Sequence, residues 1–186
     1  RLHNESIGVE DDENVIVVMG ACGVSGRSIS QLQKGADPEL YNRVETFLDG
    51  VAEAAAAMGY EWEVIAIKYT QGENDNGSSY TSYLNALKTM KGNLEKSCMD
   101  KSGQKFTPVF VLNQIGNTYI NGMGVPNAQA AIADMYKNVV MVGSYQGMMN
   151  PGAHLVSNSY RLLGSIIGKE IYRYYAGNGD YPFKMV

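Results

Sequence analysis

An α/β domain built on a parallel sheet is what this sequence predicts, and two observations carry the prediction. Apolar, β-branched runs alternate with amphipathic helical stretches along the chain. The runs at 14–20, 61–69, 107–114 and 138–144 read as unbroken rather than alternating, as expected of strands covered on both faces. Together they imply a three-layer α/β/α sandwich with a flavodoxin-like sheet, in a chain of 186 residues that suits one domain.

The elements follow in order. Residues 1–13, "RLHNESIGVEDDE", are polar and acidic and read as a connecting loop. "NVIVVMG" (14–20) reads as a buried strand, and "ACGVSGRSIS" after it as a Gly/Ser turn. A helix is expected next, with Asp37 as cap, Pro38 at its first position and Gly59 at its end. Val44, Phe47, Leu48, Val51, Ala55 and Met58 would form its apolar stripe. "EWEVIAIKY" (61–69) is the second strand, and the helix after it puts Tyr80, Leu84, Leu87 and Leu94 on one face. "TPVFVLNQ" (107–114), the helix "VPNAQAAIADMYK", "NVVMVGS" (138–144) and the helix "SNSYRLLGSIIGKEIYRYY" complete the domain, taken as 14–175. Residues 176–186 read as a tail or linker.

Composition narrows the partners. A hydrophobic share of 45% supports a real core, and a formal net charge of -4 supplies no basic field for nucleic acid. No apolar run approaches the ~20 residues that a membrane-spanning helix needs. Two cysteines give neither a disulfide framework nor metal-site spacing, and two histidines cannot build a multi-His metal centre. The chain starts at Arg1 rather than Met, which reads as a mature, cleaved or excised piece. Its 13 tyrosines and 21 glycines lean toward a surface-exposed or carbohydrate-facing protein.

In a parallel sheet the ligand site lies beyond the carboxyl ends of the strands. The informative loops are therefore 20–28, 69–78, 113–124 and 144–156. The first, "GACGVSGRS", reads either as a tight turn or as a source of backbone N–H groups for an oxyanion; it lacks the lysine and spacing of a phosphate loop. The second, "YTQGENDNGSSY", offers Gln71 and Asn74 as neutral donors, with Glu73 and Asp75 holding the loop or capping the next helix. The last contains His154, a candidate general base. His3 lies in the polar amino-terminal segment and reads as solvated. Cys22, Ser25 and Ser28 are alternative nucleophiles, and Cys98 reads as a structural residue.

Three of these blocks, in order and on the expected elements, resemble the SGNH (GDSL-like) hydrolases, and look closest to the branch with sialate O-acetylesterases and related carbohydrate esterases. "GVSGRSISQL" resembles that family's second block and places an oxyanion-hole amide on Gly26. "QGENDN" resembles its third block, with Gly72, Asn74 and Asp75 in place and the Gln-Gly-Glu of the esterase branch in Gln71, Gly72 and Glu73. "GAHLVSNSYRLLG" resembles its fifth block and places the catalytic histidine on His154. The blocks span residues 14 to about 175. The resemblance implies removal of O-acetyl groups from a carbohydrate, with Asn74 as second oxyanion donor, Gln71 and Glu73 shaping the loop or touching substrate, and no metal or organic cofactor.

Two positions depart from the pattern. The Gly-Asp-Ser-type turn with the nucleophile does not occur in these residues, so the resemblance places the first strand and its serine upstream of Arg1, in a preceding segment or fragment. Pro151 stands where the family has Asp, beside Asn150, so a backbone carbonyl or another carboxylate would orient His154. The tail "IYRYYAGNGDYPFKMV" resembles the end of esterase-like domains in phage tail and virion proteins. The alternative from another class is a non-catalytic glycan-binding or structural module on an esterase scaffold; a cysteine hydrolase using Cys22 is a third reading.

Overall fold

The computed structural model describes residues 4–5, 8–10, 12, 15–116, 122–145, 147–148 and 154–176. Strands β1 (Ala66–Tyr69), β2 (Val109–Gln114) and β3 (Val139–Ser144) form a parallel sheet in the order β1-β2-β3. Ala66 pairs with Val109 and Phe110 with Val139, and the β2–β3 register shifts between Leu112 and Gln114. The helices are α1 (Ile29–Leu32), α2 (Asn42–Met58), α3 (Tyr80–Ser102), α4 (Gly124–Met135) and α5 (Ser157–Tyr175), with a 3-10 turn over Glu73–Asp75. The expected α/β class with a parallel sheet is present.

Alternation along the strands gives the two layers their cores. Phe110, Leu112 and Val139 point to one face and pack with Leu87 of α3 and Val125 and Ile132 of α4. Val109, Val111 and Val140 point to the other, against Ile167, Ile171 and Tyr174 of α5. The β2 residues Val109 to Leu112 are 1% exposed or less, as a strand flanked on four sides must be.

The first expected strand is not there. Val15–Met19 pairs with no strand, and its five side chains are between 52% and 91% exposed. Its composition satisfies a strand, but β structure needs a partner backbone, and none lies beside it among the described residues. The second expected strand is shortened for a related reason. Residues 61–65 precede the paired part of β1, and the Gln104 side chain bonds the Val64 backbone in a neighbour's place, accepting from its N–H at 2.7 Å and donating to its carbonyl at 3.1 Å.

The start of α2 also differs from expectation. Asp37 and Pro38 lie in a turn, and the helix begins at Asn42 with Tyr41 before it and no side-chain cap. Tyr41 is buried and its hydroxyl lies 3.1 Å from Ser97 Oγ, so core packing rather than capping propensity sets this entry. Gly59 closes the helix in the left-handed conformation, φ 73°, as expected. Of the expected stripe on α2 only Leu48 is buried, and Met58 is 60% exposed. On α3, Leu84, Leu87 and Leu94 are buried as expected, while Tyr80 is exposed.

Candidate functional site

Because the three strands are parallel, the loops that follow them emerge at one edge of the sheet. The loop 20–28 is fixed to that edge by two hydrogen bonds. Gln71 Nε2 donates to the Arg27 carbonyl at 3.2 Å, and the Ile29 N–H donates to Asp75 Oδ2 at 2.7 Å. Gly26 is thereby held beside the 71–75 turn, exposed, at φ 69°, where a side chain would be strained. Asp75 is the clamp between the loops. The cap of α3 is Ser79, whose Oγ accepts from the Ser82 N–H at 3.2 Å, so the capping role open to Asp75 falls to a serine.

Gln71 is the hub of the rim. It is buried, and both ends of its amide are engaged: Oε1 accepts from Tyr83 Oη at 2.8 Å, and Nε2 also donates to Asp75 Oδ2. Its carbonyl accepts from Tyr83 Oη at 3.1 Å and from Gln129 Nε2 at 2.8 Å. Gln129 Oε1 in turn accepts from the Ile115 N–H at 2.8 Å, joining the loops after β1 and β2 through a side chain of α4. Gly72 is required here. Its φ is 138°, and a Cβ would come within 2.9 Å of both Gln129 Nε2 and Val125 Cγ1. Through these contacts Gln71 joins the turn after β1 to the 20–28 loop, to α3 and to α4.

Glu73 is half-buried, and its Oε1 accepts from the Tyr145 hydroxyl, which comes from the loop after β3. Burial, then the bond to Glu73, push the Tyr145 phenol far above its usual range, so it stays a donor to the carboxylate. At the end of β1, Lys68 Nζ donates to Asn113 Oδ1 at 2.6 Å and to Thr70 Oγ1 at 2.5 Å. Desolvation of the ammonium pulls the Lys68 pKa down to about 7 against the opposing charge of Glu73, although the residue as a whole is exposed. Asn113 Nδ2 is buried and meets no acceptor among the described residues.

Asn74 is exposed in the middle of the 3-10 turn. His154 is exposed three residues before α5, and its neighbour Leu155 packs on the core. Hydrogen bonds tie the loops of Gly26 and Asn74 together, and His154 lies in the connection from β3 to α5. Among the described residues no hydrogen bond reaches His154 from either loop. Asn150 and Pro151 lie outside the described residues, as do His3 and the tail 177–186.

The alternative nucleophiles fare differently. Burial raises the Cys22 thiol pKa, with the Arg43 charge opposing, and pushes Cys98 up to about 12. Neither favours a thiolate. The Ser28 hydroxyl sits 2.9 Å from Ser30 Oγ, within the turn that opens α1. Sequence reasoning missed Tyr83, Gln129 and Tyr145. A signal existed for one of them: Gln129 shares the i, i+4, i+7 face of Val125 and Ile132. A polar residue on an apolar stripe marks a buried hydrogen bond.

Among the described residues, no three His, Cys, Asp or Glu side chains could hold a metal ion, and no helix is long and apolar enough to cross a membrane. Compared with family models, with curated proteins and with solved structures, the chain gave no match.

Proposed function

We propose that this chain forms most of an SGNH-type serine ester hydrolase that removes O-acetyl groups from a carbohydrate, and that the nucleophilic serine comes from a segment upstream of Arg1. The observation that supports it best is the clamp between the 20–28 and 71–75 loops. That clamp keeps the exposed Gly26 backbone and the exposed Asn74 amide at the same carboxyl-end rim. Such paired donors are what a tetrahedral oxyanion requires. In this reading the serine attacks the acetyl carbonyl while His154 takes its proton. His154 then protonates the departing sugar oxygen, and water releases acetate by the reverse sequence. Glu73, held by Tyr145, shapes the substrate side of the loop. An extracellular or virion-associated setting fits a glycan substrate.

The test is acetate release from p-nitrophenyl acetate and from an O-acetylated polysaccharide by the full polypeptide. His154→Ala should abolish turnover. Asn74→Ala should lower kcat by roughly 10²–10³-fold with KM little changed. Turnover that survives His154→Ala overturns the reading.

A second reading has an observation behind it: among the described residues none is hydrogen-bonded to His154. On that reading the domain is a glycan-binding or structural module of a virion. Binding of the acetylated polysaccharide without acetate release would select it.

A further inference from the structure

Lys68 reverses the usual habit of a lysine. A surface lysine lays its stem on apolar neighbours and holds its ammonium in water. Here the residue is exposed while its ammonium is turned in, and desolvation pulls the pKa down to about 7 against the opposing charge of Glu73. The ammonium donates to Asn113 Oδ1 at 2.6 Å, to Thr70 Oγ1 at 2.5 Å and to the Tyr69 carbonyl at 3.0 Å. All three acceptors are neutral, and Lys68 forms no ion pair among the described residues. A desolvated charge with no counter-charge is unfavourable, and proteins pair such charges.

Asn113 is unsatisfied at the same place. It is 1% exposed, near the end of β2, and its Oδ1 also lies 3.0 Å from Thr70 Oγ1. An ammonium can only donate, so the amide must turn its oxygen toward Lys68. That leaves Nδ2 buried without an acceptor. The cluster thus holds one uncompensated positive charge and one orphaned donor, and a single anionic acceptor would answer both. Its position is separate from the clamp. Ala66 and Val111 face α5, so Lys68 and Asn113, two residues further along β1 and β2, lie on that face at the carboxyl ends of the strands. Gln71 instead bonds Tyr83 of α3 and Gln129 of α4, the helices that pack on the opposite face.

We propose that Lys68, Thr70 and Asn113 form a binding site for a single carboxylate group. The charge sets the class of ligand: a monoanion balances one ammonium, whereas a phosphate dianion would leave excess negative charge near Glu73. Lys68 and Thr70 are the exposed members, so the carboxylate enters from their side. The ammonium pivots on its stem from Asn113 Oδ1 onto one carboxylate oxygen, and the other oxygen accepts from Asn113 Nδ2. Thr70 Oγ1 continues to donate to Asn113 Oδ1 and holds the amide in that orientation. Both bonds to the ligand are charge-assisted. A free small acid and an acid carried on a sugar share this chemistry. The site does not rest on the esterase reading.

The test is an NMR titration of the isotope-labelled full polypeptide with sodium acetate and with sodium glucuronate, at constant ionic strength and below the Lys68 pKa of about 7. The Asn113 side-chain NH2 signals should move downfield and saturate at millimolar ligand. Saturation by both acids identifies a free carboxylate as sufficient; saturation by glucuronate alone identifies one carried on a sugar. Lys68→Met, which keeps a stem and removes the charge, should weaken binding at least tenfold with the circular dichroism unchanged. Asn113→Asp brings a carboxylate of its own into the cluster and should abolish binding with Lys68 intact. The proposal is overturned by the absence of a saturable shift with either acid, by equal affinity in Lys68→Met, or by phosphate binding as tightly as the acids. Acetyl-ester turnover in the same sample separates the two ideas. Binding without turnover removes only the esterase, and turnover without binding removes only the carboxylate site.

Discussion

Two runs of similar composition meet opposite fates in this molecule. "VIVVM" at 15–19 and "VFVL" at 109–112 are both apolar and rich in β-branched residues. The second is the most buried strand of the sheet, paired on both edges and covered on both faces, while the first lies open along its length. Propensity is the same, so it cannot be the cause of the difference. The partner backbone is. β-propensity measures fit to a pleated, half-buried surface, and where no such surface is supplied the propensity has nothing to act on. The half of the domain around β2, β3 and α3–α5 is finished; around 15–22, α2 and the outer edge of β1 the described residues leave apolar side chains and a strand edge open.

Paired truncations should break or sharpen this contrast. Phe110→Ala removes a ring that is 0% exposed, in the finished half, and should cost about 3–5 kcal/mol in denaturant unfolding of the 186-residue chain. Val17→Ala, in the open half, should stay within about 0.5 kcal/mol in the same chain. Equal losses would mean that 15–19 packs somewhere in solution.

Charge pairs repeat the comparison. Lys91 and Glu95 lie 2.6 Å apart with side chains 5% and 13% exposed, and Glu95 Oε1 also accepts from Asn138 Nδ2 at 2.6 Å. Glu95→Ala strands the Lys91 ammonium and should cost about 3 kcal/mol. The exposed pair Lys96–Asp100, with side chains 74% and 60% exposed, should respond to Asp100→Ala by about 0.3–0.5 kcal/mol at most.

Gly72→Ala probes the rim where the two halves meet. The left-handed φ and the contacts with Gln129 and Val125 should make it cost about 2–3 kcal/mol and loosen the Gln71 hub. Acetyl-ester turnover should fall with it.

A further effect, confined to high pH, is a slope in stability. Burial raises the Tyr41 phenol from 10.0 to about 12, against the hydrogen bond with Ser97. The folded state therefore holds a proton that the unfolded state releases first. This stabilisation is complete below pH 10.0 and is lost as the pH rises toward about 12. Tyr41→Phe should flatten that part of the stability profile and leave the neutral region nearly unchanged.

How much the sequence revealed depended on how local the deciding interaction was. β2, β3 and α5 were legible because their periodicity, length and burial agree. Gly59 was legible because a left-handed cap is a local requirement. The entry to α2 was not, because Tyr41 packs against a helix more than 50 residues along, and a pattern at Asp37–Pro38 cannot report that. The strand at 14–20 was not, because its fate lies in a neighbour rather than in itself. In the candidate site, the QGEND turn was legible as a crowd of polar groups, and its internal division of labour was not. Gln71 and Asp75 face inward to join loops, and Asn74 faces outward, a distinction that only the Tyr83, Gln129 and Ile29 contacts define.

The measurement that bears most directly on the proposed activity is acetate release from an O-acetylated polysaccharide by the full polypeptide, wild type beside His154→Ala. The account predicts steady turnover in the first and none in the second, with both proteins equally folded by circular dichroism. Equal turnover in the two, or none in the wild type, would contradict it.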